Sequence, residues 1–346
     1  MAPDVDRRQT SGAFFLYNGA MHESEKIRVA VLRGGPSSEY EVSLKTGAAA
    51  LAHIPRERFE PFDVFIDRAG VWYENGLARR PEVILRNAGV AFNALHGEWG
   101  EDGGVQEILD AFGARYTGSG RFASRLAMQK SFAKSVLEKY GVKTPVWRVL
   151  YRGDTVGDSA VALHRSFPQP SVIKPVGLGS SVGVSIVRTV QEIADALERA
   201  FAVSDTALVE EYIVGKEATV GVVEGFRGQE LYSLLPIEIV PAEGSQFFDY
   251  DAKYGGQSQE ICPGRFTAEE SAELQKVAAH VHRTLGLRHY SRSDFILHQR
   301  RGMYFLEVNT LPGLTPESLL PKSLTAVGSS LSEFLEHVLD LAVAGK

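Results

Sequence analysis

Three side chains towards the C-terminal end can do metal chemistry together: Asp294, Glu307 and Asn309. They lie in two strand-like runs, residues 293–297 and 302–313, separated by a short basic turn that ends in glycine. Such a pattern predicts a β-hairpin with a loop of about 3–5 residues. With residues 299–302 as the loop, antiparallel pairing sets Asp294 opposite Glu307, and Asn309 shares their face. Like charges so opposed repel unless positive charge sits between them. Three oxygen donors without cysteine or histidine suit Mg²⁺, a hard cation often shared with substrate phosphates. The alternative is a solvated hairpin face carrying two unrelated acids.

A second constellation is Lys174-Pro175 followed by Gly179-Ser180-Ser181-Val182-Gly183. A lysine at a strand end beside a loop rich in amides and hydroxyls can hold a nucleoside triphosphate. The lysine precedes the glycines, so this is not the GxxxxGK[ST] loop. Downstream, Glu210-Glu211-Tyr212-Ile213 and Glu217 form a segment whose backbone can pair with an adenine edge while Glu217 accepts from ribose hydroxyls; an ordinary edge strand reads the same way. Lys130 falls mid-helix, where a surface ion pair is the usual role. Glu39 and Glu41 precede or open a helix, where acids favour the macrodipole, although Glu39 could instead meet a substrate ammonium. His96 follows an apolar strand, which places it at a ligand-facing end.

The elements that must position these groups begin at Ile27. Strands are expected at 27–32, 62–66 and 90–95, with an alanine-rich helix at about 41–52; this alternation implies an α/β unit with a parallel sheet and ligands at the carboxyl ends of its strands. A helix at about 124–140, strands at 172–175 and 206–214, and a closing amphipathic helix at about 332–342 follow. Residues 1–26 read as a mobile leader, with Met21 a second start. The chain has 346 residues, 44% hydrophobic and 23% charged, the composition of a globular protein long enough for two or three domains. A net charge of −6 argues against a nucleic-acid partner. No apolar run reaches the ~18 residues a membrane span needs. The single cysteine, Cys262, excludes an internal disulfide and fits a reducing cytoplasm.

Taken together these motifs resemble the D-alanine–D-alanine ligases of the ATP-grasp superfamily. Gly34-Gly35-x-Ser37-x-Glu39-x-Glu41-Val42-Ser43, Ala94-Leu95-His96-Gly97, Lys174-Pro175, Tyr250-Asp251-Ala252-Lys253-Tyr254, Arg292-x-Asp294 and Glu307-Val308-Asn309-Thr310-x-Pro312-Gly313 carry the likeness, in order, from about residue 27 to 342. The resemblance implies a three-domain ATP-grasp fold: an N-terminal α/β substrate domain at 27–129, a central lobe at 130–210 and a C-terminal lobe at 211–346. It implies ligation of two D-alanines through an acyl phosphate, for peptidoglycan precursor synthesis in the cytoplasm. ATP would meet Lys130, Lys174, Glu210, Tyr212, Ile213, Glu217 and Lys253. Two Mg²⁺ or Mn²⁺ ions would sit on Asp294, Glu307 and Asn309.

By the same resemblance Glu39 would take the first substrate's ammonium, linked to Ser180 and Tyr254. Arg292 and Gly313 would stabilise the oxyanion, and His96, Ser318 and Leu319 would line the substrate site. Residues 247–262 would form a mobile loop closing over it. Tyr254 goes with a D-alanine acceptor rather than D-lactate, and a homodimer is the family expectation. Two departures stand out: Val176-Gly177-Leu178 replaces a stretch that often carries polar residues, and Pro316-Glu317 replaces a Ser-His pair, adding negative charge beside the acceptor site. The rival readings are an ATP-grasp ligase with another acceptor and a non-catalytic nucleotide-binding protein. A dinucleotide-binding dehydrogenase would need G-x-G-x-x-G after the first strand, which is missing.

Overall fold

The computed structural model describes residues 26–153, 155–177, 183–241 and 259–345; the expectations for residues 1–25, Ser180, Lys253, Tyr254 and most of the 247–262 loop fall outside them. The first unit comprises β1 (Ile27–Gly34), α1 (Tyr40–His53), β2 (Phe59–Ile66), β3 (Trp72–Glu74), β4 (Leu77–Arg79), α2 (Pro81–Arg86), β5 (Val90–Asn93), α3 (Gly104–Ala111) and α4 (Arg121–Met128). Its sheet has the order β4-β3-β2-β1-β5, with β1 parallel to both β2 and β5. The expected parallel sheet is in fact mixed, because β3 and β4 add to one edge as antiparallel strands. A tight hairpin reverses the chain without the crossover that a parallel neighbour needs.

Gly34 ends β1 at φ +93°, and a Cβ there would lie 2.2 Å from the Ile66 carbonyl oxygen, so glycine alone fits this turn. Its N–H donates to Ser43 Oγ (2.8 Å), whose hydroxyl donates to Ala94 O (2.9 Å). These bonds tie α1 to the chain leaving β5 and bring Glu39 and His96 to one end of the sheet.

The second unit follows as α5 (Lys130–Lys139), β6 (Trp147–Tyr151), α6 (Val156–Ser166), β7 (Ser171–Pro175), β8 (Ser185–Val187), α7 (Val190–Val203) and β9 (Thr206–Glu211). Its antiparallel sheet has the order β6-β9-β7-β8. Leu163, Ile193 and Leu197 of the two helices pack against Ile173, Val187 and Val209. β9 stops at Glu211 rather than running to residue 214: Tyr212 N–H still donates to its register partner Pro170 O (3.2 Å), but proline has no N–H to return the bond.

One expected helix, 124–140, is two. Gln129 has φ −83° and ψ 85°, which separates α4 from α5, and Lys130 opens α5 instead of lying mid-helix. No glycine or proline marks the break. Both segments reach the core of the third unit, through Ala127 of α4 and Ala133 and Leu137 of α5, while Ser124 of α4 also bonds within the first unit to Ser119 O and Gln106.

That third unit contains β10 (Lys216–Glu224), β11 (Leu231–Ser233), β12 (Ile237–Val240), β13 (Gln259–Ile261), α8 (Ala268–Thr284), β14 (Tyr290–His298), β15 (Gly302–Asn309), α9 (Leu319–Ala326) and α10 (Leu331–Val343). Its antiparallel sheet has the order β13-β12-β10-β14-β15, with β11 also on β10. α8 covers one face, burying Leu274, Ala278 and Val281 against Val220, Val222, Phe295 and Phe305. The other face remains for chemistry. α10 bridges to the first unit: Phe334, Leu335, Val338 and Leu339 join Val29, Val31, Phe59 and Phe92 in one core that also takes in Val223 and Tyr290 at the end of the third sheet.

Phe334 is fully buried and meets Tyr290 edge-on at 5.2 Å, joining the first and third units. Phe334→Ala should therefore cost about 3–5 kcal/mol. Urea denaturation checks this; a loss below about 1 kcal/mol would show that α10 is not an integral part of that core.

Candidate active site

On the open face of the third sheet, Asp294 on β14 stands opposite Glu307 on β15, and Arg292 opposite Asn309. The route to this pairing differs from a simple hairpin. The loop is one residue shorter than expected, with His298 paired to Gly302, and the register shifts between Asp294 and Phe295. Phe295 pairs with Phe305 and Asp294 with Glu307, so Leu306 is the extra residue of a β-bulge. Without it Asp294 would face Leu306, and Glu307 would share the α8 face with Phe305.

Positive and polar groups surround the opposed acids. Arg292 Nε and Nη2 lie 3.2 Å from the two Asp294 oxygens, and Thr219 of β10 donates to Asp294 Oδ1 at 2.5 Å. Lys130 Nζ lies 3.3 Å from Glu307 Oε2, and Asn309 Nδ2 is 3.5 Å from Asp294 Oδ2. The break before α5 is what delivers Lys130 here. Two carboxylates and an amide on one rigid face, with no soft ligand among them, fit a hard divalent cation, and the cations now against them show that the site accommodates positive charge.

A cavity of about 190 Å³ runs from this face to the second unit, lined among others by Lys130, Lys174, Glu210, Tyr212, Ile213 and Glu217. Lys174 rises from β7 and forms an ion pair with Glu210 of β9. On the other side of Glu210 is Lys134, whose Nζ lies 2.7 Å from Oε1 and is fully buried. Burial opposes charge on Glu210, but Lys134 and Lys174 outweigh it and hold its carboxyl below the ordinary range. Lys134 went unnoticed in the sequence. Its one signal is its place one helical turn after Lys130.

A second cavity, about 540 Å³ and within the size range of small-molecule sites, is lined by Glu39, His96, Arg292, Asn309, Gly313, Ser318 and Leu319. Glu39 occupies the N-cap position of α1, at the helix end where a negative charge favours the macrodipole, and its side chain makes no capping hydrogen bond. His96 is buried with Nε2 2.8 Å from Thr46 Oγ1, and burial lowers its pKa to about 4, leaving the ring neutral at pH 7. Gly313 sits so close to Ser318 that a Cβ would lie 2.9 Å from its Oγ. Thr315 Oγ1 lies 2.9 Å from Ser318 Oγ, and Glu317 is exposed at the cavity wall.

Glu101 was also missed. Its buried carboxylate accepts from Gly97 N–H (2.9 Å) and Leu311 N–H (3.0 Å), joining the His96 loop to the segment leading to Gly313. Burial, with Glu39 nearby, pushes its pKa up to about 7. Lys130, Arg292, Glu307 and Leu319 line both cavities, which therefore adjoin along a shared wall.

Two family models match the chain: "D-ala D-ala ligase N-terminus" over residues 28–84 and "D-ala D-ala ligase C-terminus" over residues 136–340. A D-alanine–D-alanine ligase of Geobacter sulfurreducens is 40% identical over 92% of this chain and 94% of its own length. That of Clostridium beijerinckii is 33% identical over 90% and 97%. Among solved structures, the VanG D-Ala:D-Ser ligase of Enterococcus faecalis superposes with a TM-score of 0.80 at 30% identity, covering 92% of this chain and all of that one. The D-alanine–D-alanine ligase of Bacillus anthracis gives 0.76 at 32% identity, with 92% and 98% covered.

Glu101→Ala would leave two buried amide donors without an acceptor. The expected loss is roughly 2–4 kcal/mol of stability. Urea denaturation measures it, and a cost under about 1 kcal/mol would show that the Gly97 and Leu311 amides find other partners.

Proposed function

The chain belongs to the D-alanine–D-alanine ligase family, and we propose that its two joined cavities divide the ligase reaction into a nucleotide side and a D-alanine side. The overall activity is the ATP-dependent joining of two D-alanines to D-alanyl-D-alanine, with release of ADP and phosphate. The observation that carries the division is the shared wall of Lys130, Arg292, Glu307 and Leu319. A phosphoryl group in one cavity and a carboxylate in the other can meet only there.

On the nucleotide side Lys174 and Lys130 neutralise the phosphates, the 212–213 segment and Glu210 meet adenine, and Glu217 takes the ribose. Asp294, Glu307 and Asn309 would hold two Mg²⁺ or Mn²⁺ ions, which when bound neutralise charge on the triphosphate. On the other side Glu39 receives the ammonium of the first D-alanine and aims its carboxylate across the wall. That carboxylate attacks the γ-phosphorus and becomes an acyl phosphate, a far better acyl donor. Neutral His96 and Glu101 keep the floor of this cavity in place.

The amine of the second D-alanine then attacks the acyl carbon, with its carboxylate held at Ser318 and Leu319. Negative charge gathers on the carbonyl oxygen, where the Arg292 guanidinium and the Gly313 amide offset it. Phosphate leaves as the amide forms. Ser180, Lys253 and Tyr254 complete the site in the family pattern, and Tyr254 favours an amine acceptor. A homodimer and a cytoplasmic location belong to the same proposal; among the described residues no helix is long and apolar enough to cross a membrane.

Incubation with ATP, Mg²⁺ and D-alanine or D-lactate, followed by mass spectrometry, should yield D-alanyl-D-alanine. Depsipeptide with no dipeptide would sink the acceptor assignment. Glu307→Gln should slow turnover by on the order of 100-fold or more through loss of a charge facing Asp294; ADP release at a near-native rate would refute the role of Glu307.

A further inference from the structure

Lys134, Glu210 and Lys174 form a buried triad of two cations and one anion, and its members differ in what they can reach. Lys134 is fully buried within α5, held by Glu210 Oε1 at 2.7 Å and by Phe305 O at 3.3 Å. It is absent from the cavity wall. Lys174 and Glu210 do line the cavity, at 9% and 3% exposure, with Lys174 at the end of β7 where the chain leaves the sheet. As the structure stands, the lysine expected to meet phosphate is engaged by a carboxylate.

A phosphate entering the cavity must compete with Glu210 for that lysine. Were Lys174 the sole counterion of Glu210, its departure would strand a buried carboxylate without compensation, which is among the costliest single changes in a protein interior. With Lys134 on the other oxygen, a neutral ion pair remains when Lys174 moves. Lys174 is then available to the incoming anion.

From this arrangement we infer that Lys134 is a positioning residue of the nucleotide side: it is the resident counterion of Glu210 that releases Lys174 to a phosphate. The inference rests on the nucleotide reading of this cavity given above. Lys134 never touches the nucleotide and acts only through the other two members.

Inorganic tripolyphosphate, titrated calorimetrically into the full chain in Mg²⁺ buffer, separates this role from adenine recognition because it carries no base. Lys134→Met should weaken its binding about 10-fold or more, since phosphate must now draw Lys174 from a carboxylate with no other partner. Glu210→Gln should bind at least as tightly as the native chain, because nothing then holds Lys174 back. The double variant should match Glu210→Gln, a rescue that a merely structural lysine would not give. Native affinity in Lys134→Met, or a double variant as weak as Lys134→Met, would overturn the inference. If Lys134→Met does not fold, weaker binding by Glu210→Gln than by the native chain overturns it instead. Failure of the native chain to bind either ATP or tripolyphosphate would bring down the nucleotide reading itself, whereas failure in the variants alone leaves that reading standing.

Discussion

Asp294 and Glu307 face each other across neighbouring strands, and two like charges in that position are unfavourable unless the rest of the molecule brings compensation to them. Much of the architecture is that compensation. β14 supplies Arg292 two residues from Asp294, β10 supplies the Thr219 hydroxyl, and the start of α5 supplies Lys130. Each comes from a different element, so the acid pair holds together only when all three are assembled. A bulge at Leu306 sets the pair in the first place, by turning Glu307 and Asn309 onto the open face while Phe305 and Val308 remain in the core beneath α8.

From that pair the two cavities diverge. The proposed nucleotide side is walled by the second and third sheets, and the proposed D-alanine side by the third sheet and the end of the first. Charge is distributed differently in the two. Beside the proposed nucleotide cavity, Lys134 and Lys174 flank the buried Glu210 carboxylate. Across the wall, His96 is neutral and Glu101 accepts from the backbone amides of Gly97 and Leu311, so hydrogen bonds hold that part of the second cavity. In the proposed reading, Glu39 on this wall would meet the ammonium of a small zwitterion.

Connections between distant parts of the chain explain why the site is stable enough to hold such charges. α10 ends the chain but packs on the first sheet through Phe334, Leu335, Val338 and Leu339. Arg58 reinforces the same contact from the surface, pairing with Glu336 and Asp340 of α10 at 2.8 Å. Glu101 does so from within, reaching from the first unit to the amide of Leu311. The walls of the second cavity are thereby tied to one another.

Local pattern made much of this legible. Apolar runs bounded by glycine marked β1, β5, β7 and the β14–β15 hairpin, because burial and turn chemistry act over a few residues and leave a trace in them. Residue type made the acids, Lys174 and Glu39 recognisable, since hard-oxygen and ammonium chemistry admits few side chains. The pairing of Asp294 with Glu307 was also readable, although a longer loop with no bulge led to the same partners. What tertiary structure alone decided was where the chain departs from local preference. The break at Gln129, the bulge at Leu306 and the early end of β9 carry no glycine or proline, because each answers to partners far away in sequence. Lys134 and Glu101 were invisible for the same reason: a buried charge shows its purpose only beside the group that compensates it, and sequence does not say which group that will be.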